Sequence, residues 1–128
     1  MKNKTYIIIG IAILFLVVLF VVTPPKSISN FRGAEFIEKY SNTEGAVLLD
    51  VRTPEEFASG HIQSAINIDF QNPSFAEDVK KLDTSKPYFV YCRSGNRSGK
   101  AISFMKENGF TKIYELQGGI VASPELIQ

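Results

Sequence analysis

Tyr88-Phe89-Val90-Tyr91 is a continuous apolar run that leads straight into Cys92-Arg93-Ser94-Gly95-Asn96-Arg97. Such a run reads as a buried strand. Residues 98–109 then read as a helix, with Ala101, Ile102 and Met105 on one face and Gly109 as the C′ stop. A buried strand turning directly into a helix is one unit of an alternating pattern, and the rest of the chain repeats it. Residues 31–40 read as an amphipathic helix with Asn30 as candidate N-cap. Residues 46–49 form an apolar run and read as a second buried strand. Thr53-Pro54-Glu55-Glu56 is a helix start, with Thr as N-cap, Pro at N1 and acids in the first turn. Residues 65–68 read as a short strand, a helix opens at Asn72-Pro73 or Ser74 and runs to about Leu82, and residues 111–116 read as the last strand. This alternation predicts an α/β fold, with a mostly parallel central sheet and helices on both faces. Sites in such sheets lie beyond the carboxyl ends of the strands, where Asp50 and Cys92 fall.

Cys92 is the only cysteine. A lone cysteine after an apolar strand is ordinarily a small buried hydrophobe. Here the surroundings argue otherwise. Free N–H groups at a helix start favour an anion. A loop containing Gly95 can fold its own amides toward one point. Arg93 and Arg97 add two permanent charges. All three effects favour a thiolate and a site for an anionic substrate beside it.

Composition removes several alternatives. The length of 128 residues suggests one domain, and a formal charge of +1 gives no bulk preference for nucleic acid. One histidine and one cysteine are too few for a zinc cluster, and one cysteine cannot form a disulfide within the chain. Gly95-Asn96-Arg97-Ser98-Gly99-Lys100 fails as a phosphate-binding P-loop, because Ser94 replaces the first Gly and Ala101 replaces the magnesium-binding Ser or Thr. No G-x-S-x-G elbow is present.

Residues 6–22 carry no charged side chain. At about 1.5 Å per residue they reach roughly 25 Å as a helix, near the lower limit for crossing a bilayer. Residues 1–26 are therefore read as a membrane anchor followed by a Pro24-Pro25 spacer, and residues 27–128 as the domain. Ser27-Ile28-Ser29 offers small residues for cleavage, but the length of the run and Lys26 favour an uncleaved signal anchor. Lys2, Lys4 and the terminal amine precede the run, whereas Lys26 and Arg32 follow it. The bias expects a cytoplasmic N-terminus and an extracytoplasmic domain.

The loop Cys92-Arg93-Ser94-Gly95-Asn96-Arg97 resembles the active-site loop of the rhodanese-like sulfurtransferases, of form C-R-x-G-x-R. Three further stretches match that family in order: Leu49-Asp50-Val51-Arg52-Thr53-Pro54-Glu55-Glu56-Phe57, Gly60-His61-Ile62-Gln63-Ser64-Ala65-Ile66-Asn67-Ile68, and Leu116-Gln117-Gly118-Gly119-Ile120. The resemblance implies that Cys92 takes up sulfane sulfur as a persulfide and passes it to a thiophilic acceptor. It implies a small anionic donor such as thiosulfate, a thiol or cyanide-like acceptor, and no metal or organic cofactor. Arg93 and Arg97 would position the donor, and the amides of Arg93, Ser94, Gly95, Asn96 and Arg97 would hold the persulfide.

Asp50 and Arg52 read as a buried ion pair fixing the loop rather than as a charged pocket wall. His61 sits in a stretch that the resemblance treats as structural, and Gly118-Gly119 is expected to bring a backbone turn close to the Cys92 loop. Many family members carry a Trp after the Gly-Gly pair; this chain has Val121-Ala122-Ser123-Pro124 there and no Trp. A final helix is expected to be missing or very short. Two rivals stand beside sulfur transfer: a related cysteine-dependent phosphatase or arsenate reductase, and a non-catalytic domain that binds sulfur or a partner. The membrane topology has its own test. A reporter enzyme active only in the cytoplasm, fused after Gln128, should be silent; strong activity would refute the orientation.

Overall fold

The computed structural model describes residues 29–128. The anchor expected within residues 1–26, with its span at 6–22, lies outside these residues. Among the described residues no helix is long and apolar enough to cross a membrane.

Five strands form one all-parallel sheet: β1 (Ser29–Phe31), β2 (Val47–Asp50), β3 (Ile66–Asn67), β4 (Tyr88–Tyr91) and β5 (Ile113–Leu116). Their spatial order is β1-β5-β4-β2-β3, so β4 is central. Between and after them lie α1 (Gly33–Ser41), α2 (Pro54–Ala58), α3 (Phe75–Lys80), α4 (Asn96–Glu107) and α5 (Gly119–Ala122). A 3-10 turn at Pro124–Leu126 follows.

All four residues of β4 are buried, and the pleat sends them alternately to two cores. Tyr88, Val90 and Cys92 join Phe75 and Val79 of α3 and Ala101, Ile102 and Met105 of α4. Phe89 and Tyr91 join Phe36 of α1, Leu116 of β5 and Ile120 of α5 on the other face. The apolar run therefore reads as it does because neither face of β4 meets water.

The N-terminal expectation needs correction. Asn30 is not a helix cap; it lies in β1, paired in register with Glu115. The Phe31 carbonyl accepts from Gln117 N at 2.8 Å, and the Phe31 ring packs on Tyr114 with centroids 6.0 Å apart. These contacts draw residues 29–31 into the sheet edge. Helix α1 starts afterwards, with Arg32 in the N-cap position and its carbonyl accepting from Glu35 N and Phe36 N. Helix α4 begins at Asn96, two residues earlier than read, because Gly95 at φ +100° reverses the chain at once. After β5 come the four-residue α5 and the 3-10 turn, with Leu126 and Ile127 packed on the second core.

The Gly118-Gly119 turn meets the Cys92 loop through its backbone. Ile120 N donates to the Cys92 carbonyl and Val121 N to the Arg93 carbonyl, both at 3.0 Å. Gly119 has φ +63°, and a Cβ there would overlap the Arg93 carbonyl and lie 2.7 Å from Ser94 N. Gly119→Ala should therefore displace the loop and destabilise the domain, by about 1–3 kcal/mol from backbone conformation alone. Denaturant unfolding measures this; an unchanged midpoint would contradict the clamp.

Candidate active site

Cys92 follows β4 directly and is only 1% exposed. Its side chain shares the face of Val90 and points toward the first turn of α4. Gly95 N donates to Cys92 Sγ at 3.1 Å, possible because the positive φ of Gly95 turns that amide back on the sulfur. Ser98, in the first turn of α4 and fully buried, has its Oγ 3.4 Å from Sγ. A sulfur met by an amide at a helix start is well placed to carry negative charge.

The predicted loop residues separate into two groups. The side chains of Arg93, Ser94 and Asn96 are exposed at the mouth of the loop. Arg97 is half-buried and turned aside. Its Nη1 donates to Glu56 Oε2 at 2.6 Å and its Nη2 to Glu56 Oε1 at 2.8 Å. That hydrogen bond pushes the guanidinium upward from its ordinary value against the effect of burial, and the Cys92 sulfur and Asp50 lie within its electrostatic reach.

Glu56 is the residue that sequence reasoning missed as part of the site. It was legible only as the N3 acid of a helix start. In the structure it completes a capping box: Thr53 Oγ1 accepts from Glu56 N at 3.2 Å, and Thr53 N donates to Glu56 Oε2 at 3.0 Å. The cap fixes the carboxylate at the end of α2 nearest Arg97, a partner 41 positions away in sequence.

Asp50 and Arg52 lie behind the loop, at 0% and 6% exposure. Arg52 Nη2 donates to Asp50 Oδ2 at 2.7 Å, Nε donates at 3.0 Å, and the Arg52 amide donates to Asp50 Oδ1 at 2.9 Å. Nη2 also reaches the Gly60 carbonyl at 2.7 Å, and Asn67 Nδ2 donates to the Asp50 and Arg52 carbonyls. Charge and hydrogen-bonding capacity are thus spent on one another and on backbone, the pattern of a framework pair. The guanidinium carbon lies 5.6 Å from the centre of the Tyr91 ring. Burial, then the Asp50 charge, pushes the Tyr91 phenol upward, so it stays neutral and accepts from Ile62 N at 3.0 Å.

His61 is directed away from this chemistry. Its ring stacks on Phe57 at 3.7 Å, and Nδ1 is 2.9 Å from the Phe57 carbonyl. Among the described residues no cluster of His, Cys, Asp or Glu is arranged to hold a metal ion.

Comparison with known proteins agrees with this geometry. A family model described as the rhodanese-like domain matches residues 34–123. The chain is 40% identical over 76 residues to thiosulfate sulfurtransferase GlpE of Pseudomonas syringae pv. syringae, a match covering 59% of this chain and 70% of that protein. It is 33% identical over 119 residues to the uncharacterized protein YqhL of Bacillus subtilis, covering 93% of this chain and 90% of that one. The crystal structure of a rhodanese-related protein from Thermoplasma volcanium aligns with a TM-score of 0.65 at 33% identity, over 76% of this chain and 91% of that chain.

The Glu56–Arg97 pair makes a pH prediction. The hydrogen bond from Arg97 lowers the Glu56 carboxyl from 4.5 to about 2, against a smaller effect of burial. A folded-state value below the unfolded one stabilises the fold above the unfolded value. The contribution is therefore complete above about pH 4.5 and is lost as pH falls toward about 2. Glu56→Gln should lower stability at neutral pH and flatten the acid limb across that window. Unfolding curves at stepped pH would show it; parallel acid limbs would exclude this role for Glu56.

Proposed function

The chain belongs to the rhodanese-like domain family, and on that premise we propose that it is a sulfurtransferase working through a persulfide on Cys92. The observation that carries this reading is the shielded sulfur itself: Cys92 is 1% exposed, and its Sγ receives the Gly95 amide at 3.1 Å. Such a site suits one added sulfur atom held close to the loop backbone.

The Cys92 thiolate attacks the outer sulfur of a thiosulfate-like anion. A bond forms between Sγ and that sulfur, the sulfur–sulfur bond of the donor breaks, and its electron pair leaves with sulfite. A thiol or cyanide-like acceptor then attacks the terminal sulfur, and the electron pair of the broken bond returns to Cys92. No metal or organic cofactor takes part in this scheme. The exposed Arg93 meets the anionic donor first, beside Ser94 and Asn96. Arg97 is committed to Glu56 through both terminal nitrogens, so it acts on the sulfur as a fixed nearby charge. Asp50 and Arg52 support the loop from behind. The similarity to the GlpE thiosulfate sulfurtransferases favours thiosulfate as the first donor to assay.

A phosphatase or arsenate reductase also uses a cysteine and an arginine in a strand–loop–helix. The occupied Arg97 and the close Gly95 amide argue for the smaller cargo. The proposal includes a membrane anchor at residues 6–22 with the domain outside the cytoplasm, supported by the uncharged run and its flanking cations.

Cys92→Ser should keep the fold and lose sulfur transfer, because a serine hydroxyl is not ionised at neutral pH and cannot hold a persulfide. Mass spectrometry of the unaltered domain after thiosulfate should show a gain of one sulfur, reversed by cyanide. An aryl phosphate assayed alongside provides the contrast. Phosphatase activity above the Cys92→Ser control, without sulfur transfer, would overturn the reading.

A further inference from the structure

Glu115 is a charged residue in an interior strand. It lies in β5, in register with Val90 of β4, on the sheet face that carries Cys92 and α4. Its Oε1 accepts from Ser98 Oγ at 2.7 Å. The same Oγ stands 3.4 Å from Cys92 Sγ and 3.2 Å from the Gly95 carbonyl. Ser98 is fully buried and has one hydroxyl hydrogen to give.

The destination of that hydrogen decides what the sulfur meets. A carboxylate at 2.7 Å is a stronger acceptor than a neutral carbonyl at 3.2 Å. With the hydrogen on Glu115, Ser98 turns a lone pair toward Sγ. A lone pair accepts an S–H, tolerates a sulfur bonded to a second sulfur, and repels a thiolate. We propose that Glu115 is a positioning residue which, through Ser98, biases the Cys92 sulfur against the free thiolate.

The other charges near Cys92 come from different elements and act in the opposite sense or are neutralised. Arg97 of α4 lies within electrostatic reach of the sulfur and is tied to Glu56 of α2; Asp50 of β2 is paired with Arg52; Arg93 is exposed in the loop. Glu115 is thus the anion coupled to Sγ by a single hydroxyl. Its bearing on sulfur transfer rests on the function proposed above. There, loaded Sγ is neutral and unopposed, whereas the departing Cys92 thiolate is a poorer leaving group. Glu115 would favour retention of sulfur over its discharge.

Alkylation of Cys92 by iodoacetamide at one fixed neutral pH tests this, because it reads the sulfur whether or not transfer occurs. Glu115→Gln keeps the shape, removes the charge and offers an N–H to Ser98, freeing the hydroxyl hydrogen for the sulfur. The expected result is alkylation faster by about three- to tenfold. Ser98→Ala removes the opposing lone pair and should also accelerate alkylation. A hydroxyl that normally donates to the sulfur would give the reverse. Adding Glu115→Gln to the Ser98→Ala protein should change little, since the coupling runs through the hydroxyl. Slower or unchanged alkylation in either single variant would overturn the proposal. So would an undiminished Glu115→Gln effect in the Ser98→Ala background, which would assign the effect to charge acting through space.

Discussion

The central strand β4 has no face in water. Tyr88 and Val90 are enclosed by α3 and α4, and Phe89 and Tyr91 by α1 and the C-terminal segment. Both edges of β4 are also paired, with β2 and β5. A strand enclosed on four sides can present chemistry only at an end. In a parallel sheet that is the carboxyl end, where the chain must leave for a crossover. Cys92 is the first residue past that end, and its side chain still belongs to the core below it. Its burial and its position at the loop are two results of the same enclosure.

The loop above has no core of its own, so neighbouring backbone holds it. The Gly119 turn hydrogen-bonds to the carbonyls of Cys92 and Arg93, and Gly95 turns its amide on the sulfur. Below, the Asp50–Arg52 pair ties the end of β2 to the Gly60 carbonyl, while Asn67 bridges from β3. Such a pair brings little net stabilisation, because both ions lose hydration on burial. Its contribution is geometric, fixing the segment that launches α2 and therefore the carboxylate facing Arg97.

Features set by local sequence were legible from sequence alone. The apolar period of residues 88–91, the Thr53-Pro54 helix start and the glycines at 95 and 119 each carry a local signal. β1 carried none: Ser29-Asn30-Phe31 is too short to show a period, and it becomes a strand only because β5 offers it an edge. The Glu56–Arg97 and Ser98–Glu115 contacts were equally hidden. Each joins residues that meet only after strands have chosen their neighbours. One hint did exist for the second, since a glutamate inside the run Ile113-Tyr114-Glu115-Leu116 is out of place in a buried strand.

The shared oxygen of Glu56 has an evolutionary consequence. Oε2 serves both the Thr53 amide and the Arg97 guanidinium. In a descendant of this chain, shortening the side chain at position 56 would change the charge beside the sulfur and loosen the first turn of α2 together. Shortening the side chain to aspartate would strand both partners, and glutamine would keep the cap while surrendering the ion pair. Selection on sulfur chemistry and selection on folding therefore act on the same atom. Exposed Arg93, Ser94 and Asn96 are freer to vary, because a substitution there disturbs no buried partner.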